Sequence, residues 1–231
     1  MANSESVKKT YIKKFKVNSN KISVIPCGMD IEYLSNTNVD TMLLEELDIK
    51  KSDFVIICVA NLHVNKGHRF LLSAYEKFYQ TYPNSKLLIA GEGIEKEVLI
   101  KQAAMYTSNK SICFLGKRSD VPQLLRVSNV FVLPTFFEGM SNAIMEAMSV
   151  GLPIVTTSIF ENKELVTDKE DGLLCPVANS DCLYEGLKLL KENPQIATSL
   201  GESGALKMKL KYELRNMSDL WEDFYTAHSL H

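Results

Sequence analysis

Short, nearly unbroken apolar runs recur along the chain: FVIICVA from Phe54, KLLIA from Lys86, SICFLG from Ser111, NVFVLPT from Asn129, LPIVTT from Leu152 and GLLCPV from Gly172. A strand with one wet face alternates apolar and polar residues, whereas an unbroken run is covered on both faces, as in a parallel sheet. Between the runs lie stretches with a helical repeat, among them HRFLLSAYEKFYQ, EKEVLIKQAAMY, NAIMEAM and CLYEGLKLLKE. This alternation predicts an α/β fold on a doubly wound, Rossmann-like parallel sheet. After about Glu192 the pattern turns wholly helical and ends in RNMSDLWEDFYTAH, where Met217, Leu220, Trp221 and Phe224 share one face. The opening segment SESVKKTYIKKFKV stands apart. It carries lysines at 8, 9, 13, 14 and 16 around an apolar stripe of Val7, Tyr11 and Phe15, which fits either a solvated amphipathic helix or one lying on a membrane surface.

At 231 residues and 45% apolar content the chain suffices for one large core. A formal net charge of −2 with mixed signs leaves no basic footprint for nucleic acid. The five cysteines, Cys27, Cys58, Cys113, Cys175 and Cys182, form no CxxC pair, and three lie in apolar runs. They read as a reducing, cytoplasmic setting without structural zinc. No segment approaches the ~20 apolar residues that span a bilayer, and the first residues lack the apolar stretch of a signal peptide. A soluble protein is expected, with peripheral membrane association still open.

In open α/β sheets the ligand sits at the carboxyl ends of the strands. A dinucleotide site would place GxGxxG in the first strand-to-helix turn, but that turn is NLHVNK. Gly91 and Gly93 make a GxG after the second strand with Lys96 where the third glycine would stand, so the pair is either a tight turn or a phosphate cradle. No P-loop occurs. Lys66-Gly67 is better placed: a lysine at a helix N-terminus adds its charge to backbone N–H groups that already favour an anion. On the helix after EGM, Asn142, Glu146 and Ser149 form a narrow polar slot on an otherwise apolar cylinder. Glu146 must face either a cleft or a buried partner, because an unpaired interior carboxylate is too costly. Glu138 lies in the preceding loop, ahead of Ser141, a possible N-cap. Two acids with the N–H groups of Gly139, Met140, Ser141 and Asn142 between them suit a polyhydroxylated anion, the acids taking hydroxyls and the amides phosphate.

These segments resemble a known family. EGMSNAIMEAMSVGLPIVTT is similar to the Glu, seven residues, Glu signature of retaining glycosyltransferases of the group 1, or family 4, class. VIPCGMD resembles its interdomain segment, NLHVNKGHRFLLSAY its strand, KG and helix, and LLIAGEG its phosphate-side turn, in the family's order over roughly residues 20 to 190. The resemblance implies the C-terminal, donor-binding half of a two-domain GT-B enzyme that transfers a hexose with retention from a UDP-, GDP- or ADP-sugar to a glycan or lipid-linked acceptor. Lys66 would contact the diphosphate, Glu138 the donor sugar hydroxyls and Glu146 the ribose, and the turn of Gly116, Lys117 and Arg118 would line the base pocket. No DxD occurs, which agrees with a site needing neither metal nor cofactor.

Three features depart from the family pattern. Asn61 stands where many members carry a phosphate-binding arginine, Phe160-Glu161 replaces a Gly-Gly and would narrow or repel the donor, and the acceptor domain is missing. The implied division is residues 1–26, the remnant of that domain's last helix and linker; 27–192, the nucleotide-sugar domain; and 193–231, helices packing toward the missing half. Such a chain would be silent alone and expose an apolar patch of Val7, Tyr11, Phe15, Met217, Trp221 and Phe224. Two other readings stay open, a donor-binding subunit or inactive module of a split enzyme, and a sugar-nucleotide epimerase.

Overall fold

The computed structural model describes residues 1–228. Each apolar run becomes a strand: β1 (Phe54–Val59), β2 (Ser85–Ala90), β3 (Ile112–Gly116), β4 (Val130–Leu133), β5 (Ile154–Thr157) and β6 (Leu173–Cys175). The helices are α1 (Glu5–Phe15), α2 (Ile31–Asn36), α3 (Thr41–Glu46), α4 (His68–Thr81), α5 (Lys96–Ala104), α6 (Val121–Arg126), α7 (Asn142–Ser149), α8 (Phe160–Leu165), α9 (Ser180–Glu192), α10 (Pro194–Lys211) and α11 (Leu214–His228). The sheet runs β3-β2-β1-β4-β5-β6, all parallel. Crossovers are right-handed, so when the strand order reverses between β1 and β4 the connecting helices move to the other face. α4 then packs on α9, and α7 on α10.

Coverage on both faces explains the unbroken runs. Ile56 and Ile57 of β1, Leu87 and Leu88 of β2 and Phe131 and Val132 of β4 are wholly buried. Each such side chain stabilises the fold by roughly 1.5–3 kcal/mol, and truncating Phe131 to Ala would cost about 3–5 kcal/mol.

The structure corrects three sequence expectations. Cys175 and Cys182 are joined by a disulfide, while Cys27, Cys58 and Cys113 are free. Asn179 caps α9 by accepting from the Cys182 N–H, and this turn brings the Cys182 Cα within 5.7 Å of Cys175 at the end of β6. Ser149 is not part of a polar slot, because its buried hydroxyl donates to the Met145 carbonyl within α7. The apolar patch is smaller than expected. Tyr11 and Phe15 are exposed, at 48% and 58%, but Met217 is buried against Gly28, where an added Cβ would lie 2.8 Å from its Cγ. Among the described residues no helix is long and apolar enough to cross a membrane.

Candidate functional site

At the switch between β1 and β4 the strands diverge, and the segments after them face each other. After β1 the chain makes one 3-10 turn, Val64–Lys66, and reaches Gly67 at φ 69°. That left-handed conformation favours glycine, and space demands it as well, since a Cβ on Gly67 would lie 2.0 Å from the Pro134 carbonyl oxygen. The turn therefore lies directly on the segment after β4. No side chain caps the first turn of α4, and Lys66 stands two residues before its start, beside the positive end of the helix.

Opposite, Glu138 reaches Lys66, with Nζ 2.5 Å from Oε1; their side chains are only 19% and 10% exposed. Two neighbouring side chains, Cys58 and His68, are buried. Burial pushes the Cys58 thiol up to about 12, and burial with the Lys66 charge lowers the His68 imidazole to about 4, so both are neutral near pH 7. Ser141 caps α7 by accepting from the Ile144 N–H at 3.5 Å, and the start of this helix, Ser141, Asn142 and Ala143, lines the same cavity as the pair.

Two cavities open on this end of the sheet. One, of about 370 Å³, is lined by Ala60, Asn61, Lys66, Glu138, Ser141 and Asn142, with Met140 beside them. The other, of about 400 Å³, lies between α2, the start of α6 and α7, lined by Met29, Asp30, Tyr33, Ser119, Pro122 and Glu146. Burial raises the Glu146 carboxyl above the ordinary carboxylate range, and α7 thus presents one acid to this cavity and its N-terminus to the other. A larger cavity of about 530 Å³ touches Phe54, Asn129 and Pro153 at the amino ends of the strands. Its position is wrong for a ligand of an open α/β sheet, whereas the two smaller cavities lie at the end where such ligands sit.

Of the residues singled out from sequence, Lys66, Glu138, Met140, Ser141 and Asn142 converge on one cavity and Glu146 lines its neighbour. Gly139 lies between Glu138 and Met140, with open space where a Cβ would be. Gly116, Lys117 and Arg118 line neither cavity; Ser119 does instead. Arg118 is committed to Glu46 and Asp120, both at 2.7 Å, and these contacts raise its pKa further. Gly91 and Gly93 form a close packing turn: added Cβ atoms would fall 2.0 and 2.4 Å from the carbonyl oxygens of Ala60 and Leu62. Phe160 and Glu161 turn toward α1, where the Ser6 hydroxyl donates to Glu161 and Lys9 lies over the Phe160 ring, and neither lines the Lys66 cavity. Sequence reasoning missed Asp30 and Tyr33 as wall residues and Thr135 beneath the pair. Asp30 ends the VIPCGMD segment, but nothing in the sequence marked it, Tyr33 or Thr135 as part of a site.

The family model described as glycosyl transferases group 1 matches residues 41–207. An uncharacterized glycosyltransferase of Haemophilus influenzae is 30% identical over 219 residues, covering 94% of this chain and 58% of that protein. The UDP-Gal:alpha-D-GlcNAc-diphosphoundecaprenol alpha-1,3-galactosyltransferase of Escherichia coli is 33% identical over 184 residues, covering 78% and 48%. The chain thus spans about half the length of these relatives. Among solved structures, Anabaena HepE in complex with UDP-glucose shares the fold with a TM-score of 0.90 at 21% identity, covering 98% of this chain and 63% of that one. The chain belongs to the group 1 glycosyltransferase family.

Proposed function

We propose that this chain is the donor-binding half of a retaining hexosyltransferase. The observation that carries the reading is the Lys66–Glu138 pair, half-buried at the strand switch and lining one cavity with the start of α7. A nucleotide sugar supplies what these groups need. Its diphosphate takes Lys66 and the N–H groups of α4 and α7, its hexose hydroxyls take Glu138, and its ribose takes Glu146 in the neighbouring cavity. The base then lies against Tyr33, Ser119 and Pro122. As the bond from the anomeric carbon to the diphosphate breaks, charge grows on the leaving oxygen, where Lys66 and the helix N-termini stabilise it without metal. The acceptor, a glycan or a lipid-linked sugar, attacks the face that the diphosphate leaves. A second domain or partner chain orients it, at the surface of a membrane. Transfer from UDP-Gal to a diphosphoundecaprenol-linked sugar by the Escherichia coli relative supports a UDP-hexose as the first donor to try.

The test is a thermal-shift screen against UDP-, GDP- and ADP-sugars, run with and without excess EDTA. One nucleotide series should raise Tm in both conditions. No shift with any of them would refute the reading, and a shift abolished by EDTA and restored by Mg²⁺ would refute its metal-independent form. Transfer assays on the chain alone, then with an acceptor domain added in trans, separate a half-enzyme from a complete one.

A further inference from the structure

Lys66 and Glu138 come from different loops, and one buried hydroxyl touches the backbone of both. Thr135, just beyond β4, has no exposed surface. Its Oγ lies 3.0 Å from the carbonyl of Asn65 and 3.0 Å from that of Phe137, so its single proton is shared between them. Those are the residues immediately before Lys66 and Glu138. We infer that Thr135 is a positioning residue that sets the spacing of the Lys66–Glu138 pair, an assignment that deepens the donor-site reading above and rests on it for its functional meaning.

Four further contacts make the brace stiff. The Phe136 N–H also donates to the Asn65 carbonyl at 2.8 Å, so the two loops meet through backbone as well. Gly67 lies directly on Pro134, which leaves the Lys66 turn no room to approach further. From below, the Thr157 hydroxyl donates to the Thr135 carbonyl at 2.5 Å, and the Asn162 amide, itself buried, donates to the Thr157 carbonyl at 3.0 Å. Thr135 is thereby tied to the end of β5 while it ties the Lys66 turn to the Glu138 loop. Because residues of both loops line the 370 Å³ cavity, the width of that cavity follows the brace.

The test combines Thr135→Val, which keeps the shape and removes the proton, with Thr135→Ser, which keeps the proton. In Thr135→Val, amide exchange over residues 61–70 and 134–142 should accelerate together, by roughly 3- to 10-fold, the loss of about one hydrogen bond. Exchange within β1 and β4 should change only with global stability, and calorimetric affinity for UDP should fall by a similar factor. Thr135→Ser should restore both. A variant that is merely less stable, with loop exchange and UDP affinity unchanged, would overturn the assignment. Should Thr135→Val not fold, denaturant-dependent exchange on the unsubstituted chain decides: a brace requires one shared opening free energy for the two loop segments, and two distinct values refute it. If the unsubstituted chain fails to bind UDP, the donor reading fails while the exchange result still judges the brace.

Discussion

Glu138→Gln offers the sharpest test of how the charged pair works. Without ligand, Lys66 and Glu138 neutralise each other at 2.5 Å, each largely shielded from water. Removing one member of such a pair leaves the other as a buried charge, a cost of about 3–5 kcal/mol when fully buried and less at these exposures. UDP arriving alone must take Lys66 from Glu138 and leave the carboxylate near its phosphates. At ~7 Å and an effective dielectric of ~20, each unit of phosphate charge is opposed by ~2.4 kcal/mol before screening. Glutamine keeps the size and removes this repulsion, so UDP should bind Glu138→Gln about 10-fold more tightly than it binds the unsubstituted chain. UDP-glucose should gain the same relief yet lose carboxylate bonds to its hexose, worth about 1.5–3 kcal/mol, or 10- to 100-fold. Calorimetry with both ligands on both proteins reads the ratio directly. The ligand-free variant should also melt at lower temperature, because Lys66 is left without its counter-charge, and UDP should restore it. The reasoning is refuted if the affinities for UDP and UDP-glucose fall together by one factor, since Glu138 would then only be holding the loop.

Two further outcomes are expected. Glu146→Gln should weaken binding of the ribonucleotide more than of its 2′,3′-dideoxy analogue in calorimetry, because the carboxylate would accept from the ribose hydroxyls; equal losses would make Glu146 structural. His68 is neutral in the fold, with its pKa at about 4, but gains a proton below about 6.5 once unfolded, so stability is unaffected above that pH and declines as pH falls from 6.5 toward 4. Near pH 5.5 the loss should be on the order of 1 kcal/mol, and urea titrations at pH 8 and 5.5 should find it removed in His68→Leu.

What could be read from sequence divides along a physical line. Strands buried on both faces leave unbroken runs, and all six lie where the runs put them because burial is a local property of each segment. Lys66 and Glu138 were legible since each stands at a fixed distance from a helix start, where backbone geometry limits what the side chain can reach. Thr135 was not: one threonine after a strand has no periodicity, and its hydroxyl gains meaning only when Asn65, seventy positions away, is folded beside it. Asp30 and Tyr33 were hidden for the same reason, as they meet Glu146 only through tertiary packing. The Cys175–Cys182 bond depends on how the chain turns between β6 and α9, which spacing alone does not determine. Phe160-Glu161 misled because a family comparison says what glycine permits there, whereas here these side chains turn aside to hold α1.

The ion pair also bears on how a site of this kind discriminates substrate from product. In the proposed donor site a nucleoside diphosphate would engage Lys66 and strand Glu138; a free hexose would engage Glu138 and strand Lys66. Each bears the cost of breaking a shielded pair and offsets only half of it. The intact nucleotide sugar satisfies both partners at once and leaves no buried charge alone, so its binding exceeds what its two halves contribute separately. The same pair that keeps the empty site free of an uncompensated charge would therefore favour the donor over the diphosphate it becomes. That preference depends on the spacing of the two loops, because a pair held too far apart would cost little to break and would discriminate little. The shared proton of Thr135 fixes that spacing, 3.0 Å from the carbonyl preceding each partner, so loss of the brace erodes selectivity between donor and product as well as affinity.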